Sequence, residues 1–391
     1  MINVSYVQEQ INMTKREELL KKHPYEIWEG KDKRWRTYVP DKKSKTGRAL
    51  RSRSTQREME DYVVEYWKEM EKNPTIKDLY IEWSNDKLRH GEICMSTKNR
   101  YDRQYKESMQ EFGERRIKDI DEDDIEEFIR DAIKDSELTV KGYGNLKTII
   151  YGIFKRAKRK KMVSFSIKYL IADIEISRKV FRKVEKSDEE LVFMNYEMPK
   201  IISYFKTRDL DIKDLGIWLI FYTGLRPGEL AGLKWEDVDD NVIHVNRTEI
   251  HYEDENNKKI YEVRDFPKTA AGIRDVFIPS EAQKILERIR ELNPDGEYVF
   301  ENNGKRIRTY LFDDRIRLIC ERTNIVKKSQ GKARKTYGSL LVDSHVDESL
   351  IISQMGHTDI KTTKKYYYKN RKSQEQKAAV IKKVFENDIN D

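Results

Sequence analysis

Residues 329–368 read SQGKARKTYGSLLVDSHVDESLIISQMGHTDIKTTKKYYY, and the rest of the chain is organised around this stretch. Apolar residues recur at helical spacing in its first third. Asp347 suits the start of a second helix and Gly356 suits its end. Thr358 or Asp359 can start a third helix, which carries the tyrosines 366–368. The pattern therefore predicts three short helices with connectors.

Three side chains of this stretch suit one chemistry. Arg334 lies near the start of the first predicted helix, His357 lies in the turn after the second, and Tyr366 follows nine residues beyond the histidine. A guanidinium binds phosphate oxygens through a planar fork, and a phenol is a potential nucleophile. Together with an imidazole, these groups suit a site that binds and attacks a phosphodiester.

The stretch resembles the catalytic end of the tyrosine recombinases of the phage-integrase type, in which an arginine-rich helix start, a Gly-His turn and a tyrosine recur at this spacing. Residues 222–230, YTGLRPGEL, resemble the first arginine box of the same family. The two boxes stand in the family's order, more than a hundred residues apart. Within the family, the chain looks most like the integrases of conjugative transposons.

The resemblance implies a site-specific DNA recombinase that cleaves and rejoins DNA through a 3′-phosphotyrosine, with no metal and no cofactor. It implies that Arg226 and Arg334 bind the phosphate, that His357 donates to a non-bridging oxygen, and that Tyr366 is the nucleophile. Lys268, in a Pro-Lys-Thr turn, matches the family's catalytic lysine, whose role is that of a general acid.

Neighbouring residues qualify these roles. Glu229, three residues along a helix from Arg226, can orient that guanidinium, and we expect it to be structural. Tyr367 and Tyr368 compete by proximity, but each is turned about 100° further round a helix, and the family spacing selects Tyr366. We expect His345, in a polar connector, to be structural or to face solvent.

One position departs from the family pattern. Three residues before Arg334 the family usually has a histidine, and this chain has Gly331. The missing side chain would act as a proton acceptor. Two alternatives therefore stay open, a catalytically weak DNA-binding or regulatory relative and a type IB topoisomerase, which shares the chemistry. A separate basic segment at the start of the chain favours the recombinase, because it would hold a second DNA site.

Composition points to a polyanionic partner. The 391 residues include 78 Lys and Arg against 70 Asp and Glu, a net charge of +8, and 37% of the residues are apolar. This length suggests two or three domains. The charge favours nucleic acid, although a solvated surface rich in both signs would also give it.

Cys94 and Cys320 are the only cysteines, and they stand far apart without histidine companions. They form neither a disulfide framework nor a zinc motif. No apolar run is long enough to span a membrane, and the start of the chain has no signal-peptide pattern. We therefore expect a cytoplasmic protein without a membrane partner.

Residues 1–72 are predicted to form an arm-type DNA-binding domain. Residues 1–22 could be a helix or a tail, three short alternating segments follow between residues 25 and 51, and a helix runs from Gln56 to Lys72. A twisted sheet with arginines and aromatics can lie in a DNA groove. The segment also resembles the small arm-binding domain of conjugative-transposon integrases. Our candidate DNA contacts are Arg34, Arg36, Arg48 and Arg51.

Residues 73–178 are predicted to be a helical core-binding domain. The stretch 141–186 has fourteen Lys and Arg against three Asp and Glu, which favours phosphate contact. The candidates are Lys155, Arg156, Lys158, Arg159 and Lys160. We expect the acids of residues 119–124 to start a helix rather than to bind a metal.

Residues 179–190 are predicted to be a linker, and residues 191–391 a mixed α+β catalytic domain, mostly helical, with one three-stranded sheet. The complete prediction is a multidomain protein that is mainly α with small β-sheets. Its expected partner is double-stranded DNA with core and arm-type sites. We also expect a homotetramer on DNA, and an accessory excision protein is a further candidate partner.

Overall fold

The structure, a computed structural model, describes residues 4–41, 44–265, 272–357, 361 and 368–388. The chain divides into two compact units, with the boundary between Lys183 and Val184. Each unit has its own hydrophobic core. The division falls inside the stretch for which the sequence predicts a linker.

The first unit begins with helix α1 (Val4–Lys22), strands β1 (Trp28–Glu29), β2 (Trp35–Pro40) and β3 (Arg48–Arg53), and helix α2 (Gln56–Lys72). The strands form an antiparallel sheet in the order β1-β2-β3. Thr55 caps α2, because its side chain accepts from the Glu58 amide while the Glu58 carboxylate accepts from the Thr55 amide. Thr37 and Val39 of β2 are buried. The predicted N-terminal sheet and helix are confirmed.

The remainder of the first unit is helical, as predicted. Its helices are α3 (Ile76–Arg89), α4 (Met95–Ser108), α5 (Glu122–Asp135), α6 (Val140–Arg159) and α7 (Ile167–Asp173). The acidic segment before α5 supplies its cap, since the Asp121 carboxylate accepts from the Asp124 amide. Helix α6 buries Ile149, Ile150 and Ile153 in the core, and its other side faces outward.

The second unit is built around a buried helix. Its helices are α8 (Asp188–Leu191), α9 (Met198–Thr207), α10 (Ile212–Thr223), α11 (Pro227–Gly232), α12 (Ser280–Leu292), α13 (Thr309–Arg322), α14 (Gln330–Asp343), α15 (Glu348–Met355) and α16 (Gln374–Asp388). Helix α10 is apolar nearly all round, as a central helix must be. It packs against α12, α13 and α14.

The predicted three-stranded sheet of this unit is wrong. The strands are β4 (Val242–Val245), β5 (Thr248–Glu253), β6 (Lys259–Arg264), β7 (Arg274–Phe277), β8 (Glu301–Asn302) and β9 (Lys305–Arg306). In the described residues, β4 pairs with β7 and β5 pairs with β6. The sequence interpretation missed β5 and therefore paired β6 with β7, whose partner in the structure is β4. In the described residues β6 and β7 therefore do not pair with each other, and residues 266–271, where the sequence predicts a hairpin loop, lie outside the described residues.

Two of the three helices predicted for residues 329–368 are confirmed as α14 and α15. The Asp347 carboxylate accepts from the amides of Ser349 and Leu350 and so caps α15. Gly356 ends α15 with a φ of 58°, the left-handed conformation that glycine adopts without strain. The predicted third helix falls largely outside the described residues.

Candidate active site

Arg226 lies at the break between α10 and α11. Gly224 ends α10 with a φ of 60°, and Pro227 begins α11. A Cβ at position 224 would lie 2.2 Å from the Tyr337 ring. Both the backbone conformation and the close ring therefore require glycine, and together they fix the point at which Arg226 leaves the chain.

The end of α15 is held by three arginines. The carbonyls of Gln354 and Gly356 accept from Arg274 Nε at 2.9 Å and from Arg226 Nη2 at 2.7 Å. The carbonyl between them, that of Met355, accepts from Arg334 Nη2. Terminal carbonyls of a helix lack intrahelical donors and carry partial negative charge. The three arginines donate to these carbonyls and place positive charge beside them, next to the Gly356-His357 turn.

Glu229 joins two of these arginines. Its Oε1 accepts from Arg226 Nη1 at 2.6 Å and from Arg274 Nη1 at 3.0 Å, and its Oε2 accepts from Arg226 N and from Arg274 Nη2, both at 2.8 Å. Burial alone would raise the pKa of Glu229, but the bonds from Arg274 and the charges of Arg226 and Arg334 lower it to about 2. The carboxylate is ionised at neutral pH, in keeping with the orienting role predicted for it.

Arg334 and His357 contact each other. Burial, together with the charges of Arg334, Arg226 and Arg274, lowers the pKa of His357 to about 3, so the imidazole is neutral near pH 7. Arg334 Nη2 and His357 Nε2 are 3.2 Å apart. Because a guanidinium can only donate, Nε2 accepts and the ring hydrogen lies on Nδ1. Nδ1 is therefore the atom suited to donate to a phosphate oxygen.

The two arginines differ in exposure. The Arg334 residue is 2% exposed, whereas the Arg226 side chain is 35% exposed. Arg334 also donates to the Gly224 carbonyl, next to the start of α11. Arg226 thus faces solvent at the site, while Arg334 ties together the chain segments that surround it.

The Gly331 position is open. Gly331 lies in the first turn of α14, its φ is not positive, and a Cβ there would meet only Ser329 Oγ, at 3.8 Å. Beside it, burial and the charges of Lys335 and Lys186 lower the pKa of Lys332. A larger side chain at position 331 meets no backbone strain.

Two predicted catalytic residues, Lys268 and Tyr366, lie outside the described residues, as does Tyr367. Burial and Asp343 raise the pKa of Tyr368, which is among the described residues. The following chain is anchored in the same unit, because Lys369 N donates to Ser339 Oγ at 3.0 Å and Arg371 Nε donates to the Phe193 carbonyl at 3.0 Å. His345 is exposed, with a φ of 55°.

The four candidate DNA contacts of the N-terminal sheet differ in their surroundings. Arg34 is exposed, and Arg48 is exposed with its guanidinium 4.2 Å from the Tyr38 ring centroid. Arg36 forms a two-bond pair with Asp32, at 2.7 and 2.6 Å. Arg51 Nε donates to the hydroxyl of Tyr62 on α2 at 3.0 Å. Arg36 and Arg51 are thus hydrogen-bonded to other side chains within the domain.

The candidates of α6 divide in the same way. Lys155, Lys158 and Arg159 are exposed. Arg156 is largely buried and donates to the carboxylates of Glu82 and Asp86 on α3, at 3.0 and 2.9 Å, and Lys160 donates to Glu82 at 2.6 Å. Arg156 and Lys160 therefore tie α6 to α3.

Arg274 is the site residue that the sequence interpretation missed. It opens β7, where Arg274 and Val276 are buried while Asp275 and Phe277 are exposed. An arginine on the inward face of an alternating strand requires a buried acceptor. The strand pattern could have indicated that Arg274 has a buried acceptor, but it does not identify that acceptor as Glu229.

Within residues 4–41, 44–265, 272–357, 361 and 368–388, no three His, Cys, Asp or Glu side chains are grouped so as to hold a metal ion. None of the helices in these ranges is long and apolar enough to cross a membrane.

Residues 191–374 match the phage integrase family. The ICEBs1 integrase of Bacillus subtilis (strain 168) is 24% identical over 258 residues, which cover 63% of this chain and 66% of that relative. A XerC-like tyrosine recombinase of Caldanaerobacter subterraneus subsp. tengcongensis is 30% identical over 206 residues, which cover 47% and 51%. The chain thus spans less than two thirds of the length of either relative.

The fold is shared with a solved structure. The Tn1549 transposon integrase in complex with transposon right end DNA superposes with a TM-score of 0.61 at 19% identity, covering 79% of this chain and 99% of that chain. The likeness confirms the expected mainly helical fold with small sheets. The family match runs from the last residue of α8 to the first residue of α16, and it includes both arginine boxes and the Gly356-His357 turn. Residues 191–374 of the second unit therefore form a phage integrase family domain.

Proposed function

We propose that the protein is a site-specific DNA recombinase that cleaves and rejoins DNA through a 3′-phosphotyrosine intermediate. The observation that carries this proposal is the convergence of Arg226, Arg334 and His357 at the end of α15, where each is fixed by hydrogen bonds. Fixed donors stabilise the charge that develops on a phosphodiester under in-line attack, because they need no rearrangement during the reaction.

In this proposal, Tyr366 attacks the phosphorus and the 5′ oxygen leaves with a proton from Lys268. Arg226 and Arg334 hold the non-bridging oxygens, and Nδ1 of neutral His357 donates to one of them. Reversal of the step by the 5′-hydroxyl of another strand completes exchange. Lys332 or water accepts the tyrosine proton in place of the missing histidine, and the lowered pKa of Lys332 suits that role.

The substrate is double-stranded DNA of a mobile element, for which the similarity to the ICEBs1 and Tn1549 integrases provides the support. Exchange between two duplexes requires four cleavages, so a homotetramer on DNA is the proposed working form. Its place of action is then the cytoplasm. An accessory excision protein belongs to the same proposal.

The first unit supplies two DNA contacts in this scheme. The N-terminal sheet binds arm-type sites through Arg34 and Arg48, and the exposed cations of α6, namely Lys155, Lys158 and Arg159, contact the core site. Arg48→Ala should weaken binding of the arm-type sequence without slowing core cleavage. Arg36→Ala is the matched control, because its guanidinium is already paired with Asp32. Equal effects of the two changes on arm binding would contradict this assignment.

Incubation with a nicked duplex, followed by a denaturing gel, tests the main proposal. Covalent adducts with joined products are expected. Relaxation alone would indicate a topoisomerase, and gel shifts without adducts would indicate a DNA-binding relative. Tyr366→Phe should abolish the adduct while DNA binding persists. An adduct that survives in this variant and disappears with Tyr367→Phe or Tyr368→Phe would move the nucleophile.

A further inference from the structure

Arg274 has no role in the chemistry proposed above, yet its guanidinium is among the most fully bonded groups of the second unit. Its side chain is 5% exposed. It donates to both oxygens of Glu229, at 3.0 and 2.8 Å, to the Gln354 carbonyl at 2.9 Å and to the Gly272 carbonyl at 3.1 Å. A group so enclosed cannot reach a DNA phosphate, so any effect on cleavage must pass through its neighbours.

The contacts of Arg274 close a ring with the exposed arginine of the site. Arg274 donates to Glu229, and Glu229 accepts from Arg226. Arg226 donates to the Gly356 carbonyl, two residues along the chain from the Gln354 carbonyl that accepts from Arg274. Arg274, Glu229 and Arg226 therefore each contact two other members of the ring. The carbonyls at the end of α15, in and beside the Gly356-His357 turn, complete it.

Stability alone is a weak reason for this arrangement. Replacing a buried ion pair with apolar residues is often neutral or stabilising, because both charges must be stripped of water. Val276, on the same inward face of β7, shows that an apolar side chain packs there. A bidentate pair does, however, fix the plane and rotation of its carboxylate.

We propose that Arg274 is a positioning residue for strand cleavage, which sets the Glu229 carboxylate so that it aims Arg226 at the scissile phosphate. This inference rests on the proposed function. Displacement of a reacting group by about 1 Å can cost about 10²-fold in rate. Loss of Arg274 is therefore expected to slow cleavage by about that factor and to leave DNA affinity nearly unchanged.

The variants are Arg274→Met, which removes the ring closure, and Arg274→Lys, which keeps the charge but cannot form the two-bond pair. The matched control is Arg288→Met, an exposed arginine on α12. Single-turnover cleavage of a nicked duplex is measured together with gel-shift affinity and the melting temperature. Arg274→Met should lose about 10²-fold in cleavage rate, Arg274→Lys should fall between it and wild type, and the control should match wild type.

Two readouts separate positioning from loss of folded protein. First, Arg226→Lys/Arg274→Met should cleave about as slowly as Arg226→Lys alone, because Arg274 acts through Arg226. Second, a methylphosphonate at the scissile position carries no charge for Arg226 to neutralise, so the defect of Arg274→Met and Arg274→Lys should shrink to less than about 10-fold. A merely structural role would give the same loss on both substrates.

The outcomes are distinct. Wild-type rates for Arg274→Met on the phosphodiester would overturn the inference. So would a loss that is equal on the two substrates and multiplies with that of Arg226→Lys. If Arg274→Met does not fold, Arg274→Lys decides by the same two readouts. A wild-type protein that forms no adduct in this assay would refute the proposed function instead, whatever the Arg274 variants do.

Discussion

Glu229→Gln is the sharpest test of the arginine site, because it changes one atom and leaves the side-chain volume almost unchanged. Each carboxylate oxygen accepts two hydrogen bonds, one from Arg226 and one from Arg274. Whichever way the amide is turned, its oxygen keeps two of these bonds and its NH₂ group faces the other two donors. Rotation of the amide cannot relieve the conflict, and the negative charge is lost as well.

The expected cost follows from burial. Glu229 is 3% exposed, and removing one partner of a buried, hydrogen-bonded charge cluster costs about 3–5 kcal/mol. In a unit of this size each kcal/mol lowers the melting temperature by about 2–4 °C. Glu229→Gln should therefore melt roughly 6–20 °C below wild type. Misorientation of Arg226 should also slow cleavage by about 10²-fold.

The assay is thermal unfolding followed by circular dichroism, with single-turnover cleavage measured well below the lowered melting temperature. Glu287→Gln, at an exposed position of α12, is the matched control, and it should change stability by less than about 0.5 kcal/mol. Glu229→Gln with the melting temperature and cleavage rate of the control would refute the reasoning. It would mean that the two guanidinium groups do not depend on this carboxylate.

Three further predictions follow from the same geometry. Arg226→Lys should bind DNA with near wild-type affinity but cleave about 10²–10³-fold more slowly, since an ammonium cannot form the two-point contact; wild-type cleavage would remove Arg226 from the site. Gly331→His should speed single-turnover cleavage near pH 7 by up to about 10²-fold and flatten its rise with pH; a folded variant that is no faster would show that the missing base is not limiting. Below about pH 6.5 the unfolded chain binds a proton at His357, whereas folded His357 stays neutral because its pKa is lowered to about 3. The free energy of unfolding should therefore fall by up to about 1.4 kcal/mol per pH unit as the pH decreases from 6.5 to 4.5. Urea unfolding of His357→Asn should show a shallower slope over that window, above the usual pKa of Glu229, and an unchanged slope would contradict the low pKa of His357.

The elements predicted best from sequence are those with local signals. The start of α2 at Thr55, the end of α10 at Gly224 and the limits of α15 at Asp347 and Gly356 depend on caps and glycines within a few residues of each boundary. The two arginine boxes indicate the phage integrase family, which matches residues 191–374. Arg226, Arg334 and His357 lie together at the end of α15.

What sequence reasoning missed depends on distant partners. Strand β5 carries no clean alternation, and its buried Glu249 is explained only by Arg306 and Thr309, more than fifty residues away. Likewise, the burial of Arg274 is explained only by its acceptors on α11 and α15, Glu229 and the Gln354 carbonyl. The acceptors of Arg156, Glu82 and Asp86, belong to a different helix, so the sequence around Arg156 does not show that its guanidinium is already paired.

The arginine site also shows why its parts cannot be assigned singly to stability or to chemistry. The last carbonyls of α15 need donors and carry the negative end of the helix dipole. The same guanidinium groups that satisfy them are those that a phosphate requires, and Glu229 balances their charge while the site is without DNA. A phosphate entering the site would share donors that are already oriented, so little rearrangement is needed at the moment of attack. The helix end is therefore part of the anion site, and changes at Glu229 or Arg274 should affect folding and cleavage together.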